Sequence, residues 1–241
     1  MTILGFFLGT ILGSFVKAIA DRSLAGKTFL GRSACPNCKH KLSWLDLFPI
    51  FSYLFLKGRC RYCRKKISLE YLMVEIVMGF LVAFVFWQSS QNYTLYPIPY
   101  TLIFITVLAI IFLTDIKKMF IPDRVMVPAI IVVAVAGMTV ENILAGLIIG
   151  GFFMLLIILT NGKGMGGGDV KLGAFMGLGL GLVNGILAVM LAFFTGAIFG
   201  IGAIIIKRKK FGEHLPFGPF LVLGSLIALF WGSEIIEWYL H

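Results

Sequence analysis

The amino-acid sequence predicts an all-α polytopic membrane protein of about eight transmembrane helices. Three observations carry that expectation. Of the 241 residues, 59% are hydrophobic and only 13% are charged, too little polar surface to keep a domain of this length in water. Apolar runs long enough to cross a bilayer recur along the chain, and a helix lets such a run satisfy its own backbone where no water reaches. The basic residues fall in four stretches between these runs. Twelve Lys and Arg lie in residues 17–66, three in 117–124, two in 163–171 and four in 207–210, which accounts for all 21.

The spans are expected at residues 2–20, 71–89, 99–115, 122–138, 142–160, 169–183, 185–206 and 216–239. The first has no basic n-region and no small-residue cleavage site, so it reads as a retained helix. Its Gly5, Gly9, Gly13 and Ser14 make a small-residue stripe suited to close helix packing. The fourth and sixth spans are short, and the turn between the sixth and seventh is expected near residues 183–185. Lys and Arg are retained on the cytoplasmic side during insertion, so the four basic stretches face the cytoplasm and both termini face outward. The net charge of +10 is then a consequence of topology. It suits the loops to anionic lipid of the bilayer and not to nucleic acid. The chain divides into a first helix (1–20), a loop (21–70) and a transmembrane core (71–241).

All four cysteines lie in that loop, as Cys35-Pro-Asn-Cys38 and Cys60-Arg-Tyr-Cys63. A Cys-x-x-Cys knuckle supplies two thiolates from one tight turn, and two knuckles complete the tetrahedral shell of zinc. Disulfides are disfavoured on the reducing side of the membrane, where the basic residues place this loop. The fold expectation therefore gains a cytoplasmic zinc-binding loop. Four cysteine ligands leave no open coordination position, so the metal is structural. It stabilises a loop too poor in aliphatic residues to build a core. His40 is not needed as a ligand.

Acidic residues number only eleven, so their positions carry information. Asp115 ends the third span and Asp169, after Gly166, Gly167 and Gly168, opens the sixth. Both spans cross the same boundary, which brings two carboxylates to one depth. Ionisable groups at a membrane edge are functional candidates by default. A pair of aspartates sharing one proton can hydrolyse a peptide: the ionised member draws a proton from water while the protonated member polarises the carbonyl. The glycines allow a sharp turn and a close approach of extended peptide. Other readings stay open. Asp169 can cap its helix, and Asp115 can be an interfacial charge beside Lys117 and Lys118. Asp123 can start the fourth helix or meet substrate. Glu70 and Glu75 flank the second span, with Glu75 expected to pair with a loop cation. No Ser–His or Cys–His arrangement competes, and Gly164 to Gly168 lack the Lys-Ser/Thr of a phosphate loop. Paired aspartates with broken, Gly-rich helices also describe an ion-coupled membrane transporter, although no duplicated halves are visible.

The order of features is more specific than any one of them: Gly13-Ser14-Phe15, the two knuckles, Thr114-Asp115, Ile121-Pro122-Asp123, Gly166-Gly-Gly-Asp169-Val-Lys171 and Pro216-Phe217-Gly218-Pro219. Across nearly the whole chain this resembles the type IV prepilin peptidases, aspartyl enzymes of bacterial inner (cytoplasmic) membranes. The resemblance implies cleavage of prepilin or pseudopilin leaders after Gly on the cytoplasmic side, with Asp115 and Asp169 as the catalytic pair. Such substrates carry a basic leader, which Glu70, Glu75 and Asp123 would receive. Many members also methylate the new N-terminus with S-adenosylmethionine. Here Lys17 stands at the position of a family Asn, and Asp21-Arg22 replaces Tyr-Arg, which puts methyl transfer in question. The compact length and these departures are similar to the competence-type peptidases of Gram-positive bacteria.

Overall fold

The computed structural model describes residues 1–29, 31–91, 97–137, 139–162, 165–205 and 216–240. Lys163, Gly164, the basic run 207–210, His214 and His241 lie outside the described residues. Among the described residues eight helices follow in order: α1 (Thr2–Leu24), α2 (Phe51–Phe55), α3 (Leu69–Ser90), α4 (Ile98–Lys118), α5 (Asp123–Ala136), α6 (Val140–Leu159), α7 (Gly167–Ile205) and α8 (Gly218–Leu240). A single 3₁₀ turn, Leu45–Leu47, precedes α2. Among the described residues extended pairing is limited to two isolated bridges, Ala34 with Lys41 and Arg59 with Lys66. The chain is an all-α, multi-pass membrane protein, and six of its helices are long and apolar enough to cross a bilayer.

The difference between six and eight has two physical causes. Helix α5 has 14 residues, bounded by Pro122 and Gly137, and rises about 21 Å, short of the roughly 30 Å hydrocarbon core. Helix α7 has 39 residues but is interrupted at Gly181, where φ is 75° and ψ is −179°, a backbone region open essentially to glycine alone. A Cβ placed on Gly185 would stand 3.6 Å from the Gly177 Cα. Eight residues of straight helix would separate those positions by about 12 Å. The chain therefore doubles back at Gly181, and the two halves of α7 match the expected sixth and seventh segments. The reversal comes earlier than the expected residues 183–185.

The molecule comprises two compact units, Met1–Thr106 and Val107–His241, with the boundary inside α4. In the first unit α1 lies directly on α3. Cβ atoms on Gly9 and Gly13 would collide with the α3 backbone at Met78 and Glu75, and one on Gly79 with Phe6. The glycine stripe of α1 is thus the contact surface, and the backbones meet as closely as small-residue helix pairs allow. In the second unit α6 packs on the first half of α7, where Gly177 meets Ala145 and Gly146 meets Leu178. The second half of α7 packs on α8 through Ala188 and Gly224.

Candidate active site and metal centre

Thr114 and Asp115 lie one turn before α4 ends, and both are buried. The Thr114 hydroxyl donates back to the Ile110 and Ile111 carbonyls, each at 3.1 Å, and so is satisfied within its own helix. Asp115 is held from far away in the chain. Its Oδ2 accepts the Gly218 amide N–H at 3.0 Å, one of the donors that the first turn of α8 leaves without a helical partner. A side chain at 218 would not fit, because a Cβ there would stand 2.7 Å from Asp115 Oδ2. Phe217, just before it, packs with Phe193 and Phe153 at ring-centroid distances of 5.0 and 6.4 Å, which fixes where α8 begins. The sequence reading quoted Gly218 only as part of a motif and missed its contact with the carboxylate.

Asp169 sits in the first turn of α7. Its Oδ2 accepts the Gly166 N–H at 3.1 Å, while its own N–H donates to the Gly166 carbonyl at 3.0 Å. An acidic residue reaching back from the third helical position to the capping amide is half of a capping box. Asp169 therefore caps its helix, and one oxygen does that work. Asp115 and Asp169 lie close enough to interact electrostatically. Each has one carboxylate oxygen tied by a glycine amide at a helix N-terminus. Among the described residues, the other oxygen of each takes no hydrogen bond.

The expected turn at Gly166, Gly167 and Gly168 is the first turn of α7, closed by the Asp169 N–H on the Gly166 carbonyl, and it needs no left-handed residue. None of the three has a positive φ; the left-handed residues are Asn161 (49°) and Gly162 (73°), earlier in the loop. The glycines provide clearance. Gly167 faces open space, Gly166 meets nothing nearer than the Gly168 nitrogen at 4.0 Å, and a Cβ on Gly168 would stand 3.1 Å from Ile121. The backbone beside Asp169 is therefore accessible to another chain.

The remaining acidic candidates each hold a partner. Asp123 begins α5 and pairs with Lys171 of α7 at 2.5 Å, linking the two helices on an exposed surface. Glu70 lies 3.5 Å from the Lys17 ammonium. Lys17, 3% exposed, also pairs with Asp21 at 2.5 Å and lies 4.3 Å from the centre of the Tyr71 ring, and the Tyr71 hydroxyl donates to Asp21 at 2.7 Å. Glu75 was expected to pair with a loop cation. Instead its Oε2 accepts the backbone N–H of Ile50 at 2.7 Å, so it ties the cysteine loop to α3 through the main chain.

The four cysteine sulfurs all lie within 4.8 Å of one another, and Cys35 Sγ is 3.9 Å from Cys63 Sγ. Zinc–sulfur bonds of about 2.3 Å in a tetrahedron place sulfurs about 3.8 Å apart, so the quartet fits such an ion. The two knuckles are copies of one ten-residue unit, 33–42 and 58–67. The Cys35 N–H donates to the His40 carbonyl at 3.0 Å, and Leu42 N–H to Ser33 at 2.9 Å. The second knuckle repeats this with Cys60 to Lys65 at 2.9 Å and Ile67 to Gly58 at 2.8 Å. Lys39 and Arg64 take matching left-handed conformations with φ of 58° and 55°. His40 stacks against Tyr62 between the units. Burial works to raise the Cys35 thiol, but the amides of Cys38 and Asn37, together with hydrogen bonds from the Cys60 and Cys38 side chains, bring it down to about 7, which favours the thiolate a metal needs. Between the knuckles, Asp46 accepts from the Ser43 hydroxyl at 2.8 Å and pairs with Arg61 at 2.8 Å.

The fold and site define a multi-pass membrane protein with paired carboxylates at helix ends and a separate four-cysteine centre. Comparison with known proteins is consistent throughout. A family model described as Bacterial Peptidase A24 N-terminal domain matches residues 7–89, and one described as Type IV leader peptidase family matches residues 102–201. A prepilin leader peptidase/N-methyltransferase of Bacillus subtilis is 34% identical over 98% of this chain and 96% of its own length. Proteins of the same name from Aeromonas salmonicida and Stutzerimonas stutzeri are 34% and 29% identical, over 87% and 97% of this chain and 74% and 92% of their own lengths. No solved structure matches the chain. The chain belongs to the type IV leader peptidase family. That membership leaves the ion-coupled transporter reading without support.

Proposed function

We propose that this protein is a prepilin peptidase in which Asp115 and Asp169 hydrolyse the leader bond of prepilins or pseudopilins. One observation carries the assignment of residues: two carboxylates from α4 and α7 interact, each oriented by a glycine amide with its second oxygen open. In the chemistry this suits, one carboxylate removes a proton from water. The other, protonated, donates to the scissile carbonyl, and the pair shares a single proton between steps. The amides of Gly166 and Gly218 keep the open oxygens aimed. Extended substrate lies along the uncrowded backbone at Gly166 and Gly167, beside Gly168 packed on Ile121. The exposed carboxylates Glu70 and Asp123 are the candidates to meet a basic leader, whereas Glu75 is committed to Ile50.

The four basic stretches support a cytoplasmic position for both the carboxylates and the cysteine loop, with the termini outside a bacterial inner membrane. The metal is zinc, held by Cys35, Cys38, Cys60 and Cys63, and it cross-links two knuckles that have little other core. The relatives' names support a second activity on the same product, N-methylation with S-adenosylmethionine. In this chain Lys17, at the position where the family has Asn, is already engaged by Asp21 and Tyr71.

Co-expression with a pseudopilin, followed by mass spectrometry of its N-terminus, tests these readings. Asp115→Asn and Asp169→Asn should each abolish leader removal while the protein still inserts, and cleavage by either variant would overturn the dyad. An added methyl group on the mature N-terminus establishes the transferase.

A further inference from the structure

Between the two metal knuckles the chain carries an insert, residues 44–55, that metal binding does not require. Its large apolar side chains point away from the protein. Trp44 is 74% exposed and Phe55 83%, and Leu47, Phe48, Phe51 and Leu54 are exposed as well. The insert is nevertheless firmly held. Pro49 is buried, and Ile50 has φ of 61° and ψ of −54° in a tight turn closed by Phe51 N–H on the Pro49 carbonyl at 2.6 Å. This conformation is rare and strained for a β-branched residue and persists only where surrounding contacts enforce it. The contact here is the Ile50 N–H on Glu75.

That contact also sets a depth. Glu75 lies six residues beyond Leu69, where α3 begins, and six helical residues advance about 9 Å. The insert therefore lies beside the second turn of α3, near one end of a helix long and apolar enough to cross a membrane. The knuckle stretches on either side of it in the chain carry exposed Lys39, Lys41, Lys57, Arg59, Arg64 and Lys65.

We propose that residues 44–55 are an interfacial membrane anchor. The aromatic and leucine side chains enter the outer acyl region of the leaflet on the basic side, and the flanking cations meet anionic lipid phosphates. Apolar side chains below and Lys/Arg above is the arrangement that holds monotopic segments in an interface, and each basic residue near an anionic surface adds attraction. The basic flanks oppose the alternative occupant, a substrate segment led by positive charge. Through the Ile50–Glu75 bond, the anchor fixes the metal knuckles against the membrane surface. The inference rests on the multi-pass membrane reading and is independent of the aspartate chemistry.

The test uses the full chain in bilayers containing phosphatidylglycerol. The triple variant Trp87→Phe, Trp231→Phe, Trp238→Phe leaves Trp44 as its lone tryptophan. Phospholipids brominated near the carbonyl end of their acyl chains should remove most of the Trp44 emission, aqueous iodide should remove little, and both results should hold without pseudopilin. If the triple variant does not fold, the emission of the unaltered protein minus that of Trp44→Phe reports the same residue. Quenching by iodide without quenching by bromolipid would overturn the proposal. So would protection that appears only when pseudopilin is added, which would assign the face to substrate.

Discussion

A methyl group on Gly218 would stand 2.7 Å from Asp115 Oδ2, in the space the amide bond to that oxygen now uses. Gly218→Ala must therefore move either α8 or the carboxylate, and the buried Asp115 loses a charge-assisted hydrogen bond. Such a bond contributes about 1.5–3 kcal/mol, so leader cleavage should fall about ten- to a hundredfold, with the protein still folded and inserted. Unchanged kcat/KM would show that the amide does not orient Asp115. Single residues differ in how far the sequence reveals their work. Asp115 and Asp169 stand out because acidic residues are scarce and these two end and open apolar runs. Gly218 does not, because its partner is 103 residues away and an amide has no sequence signature. Glu75 stood out as a charge beside a span with a loop cation as its expected partner, but it accepts from a main-chain N–H instead.

Helix existence at the element scale follows composition, whereas breaks and contacts depend on single backbone conformations. Helix α7 contains Gly173, Gly177, Gly179, Gly181 and Gly185, any of which is able to reverse the chain. Only Gly181 takes the positive φ, selected by how both halves of α7 pack on α6 and α8. Gly181→Ala should cost about 1–3 kcal/mol, read as a lower midpoint in detergent-induced unfolding. Gly202→Ala, inside regular helix of α7 with nothing within 4 Å of the added carbon, serves as the comparison and should cost less. Equal midpoints would mean that the reversal tolerates a side chain. The α1 stripe was legible because Gly5, Gly9 and Gly13 recur at helical spacing, though its partner face on α3 was not. The internal copy of the knuckle, 33–42 against 58–67, extends in the sequence beyond the cysteine spacing only to the short match of Lys41-Leu42 with Lys66-Ile67, too weak a signal to show a shared backbone.

The whole molecule combines two sources of stability. The spanning helices satisfy their own backbones within the bilayer, whereas the knuckle loop has few buried side chains beyond Cys35 and Cys60 and rests, on the proposed reading, on its metal. Removing the metal with a strong chelator should therefore leave helical content by circular dichroism nearly unchanged, while the loop opens to protease at its Lys and Arg residues. A loop equally protected without metal would show that the Ile50–Glu75 tie and the Asp46–Arg61 pair suffice. Global helix loss would show that the loop and membrane core unfold together.

The sequence by itself determined the all-α membrane class, the placement of its helices to within a few residues, the four cysteines that cluster as a metal would need and the two aspartates worth pairing. These depend on local composition, spacing and rarity, which a linear chain displays. Only the tertiary structure decided that α7 reverses at Gly181. It also decided which amides hold the two carboxylates, and that the insert between the knuckles is pinned to α3. Each of these is set by groups far apart in the chain, where close packing permits one backbone conformation and one partner among several that local preference leaves equal.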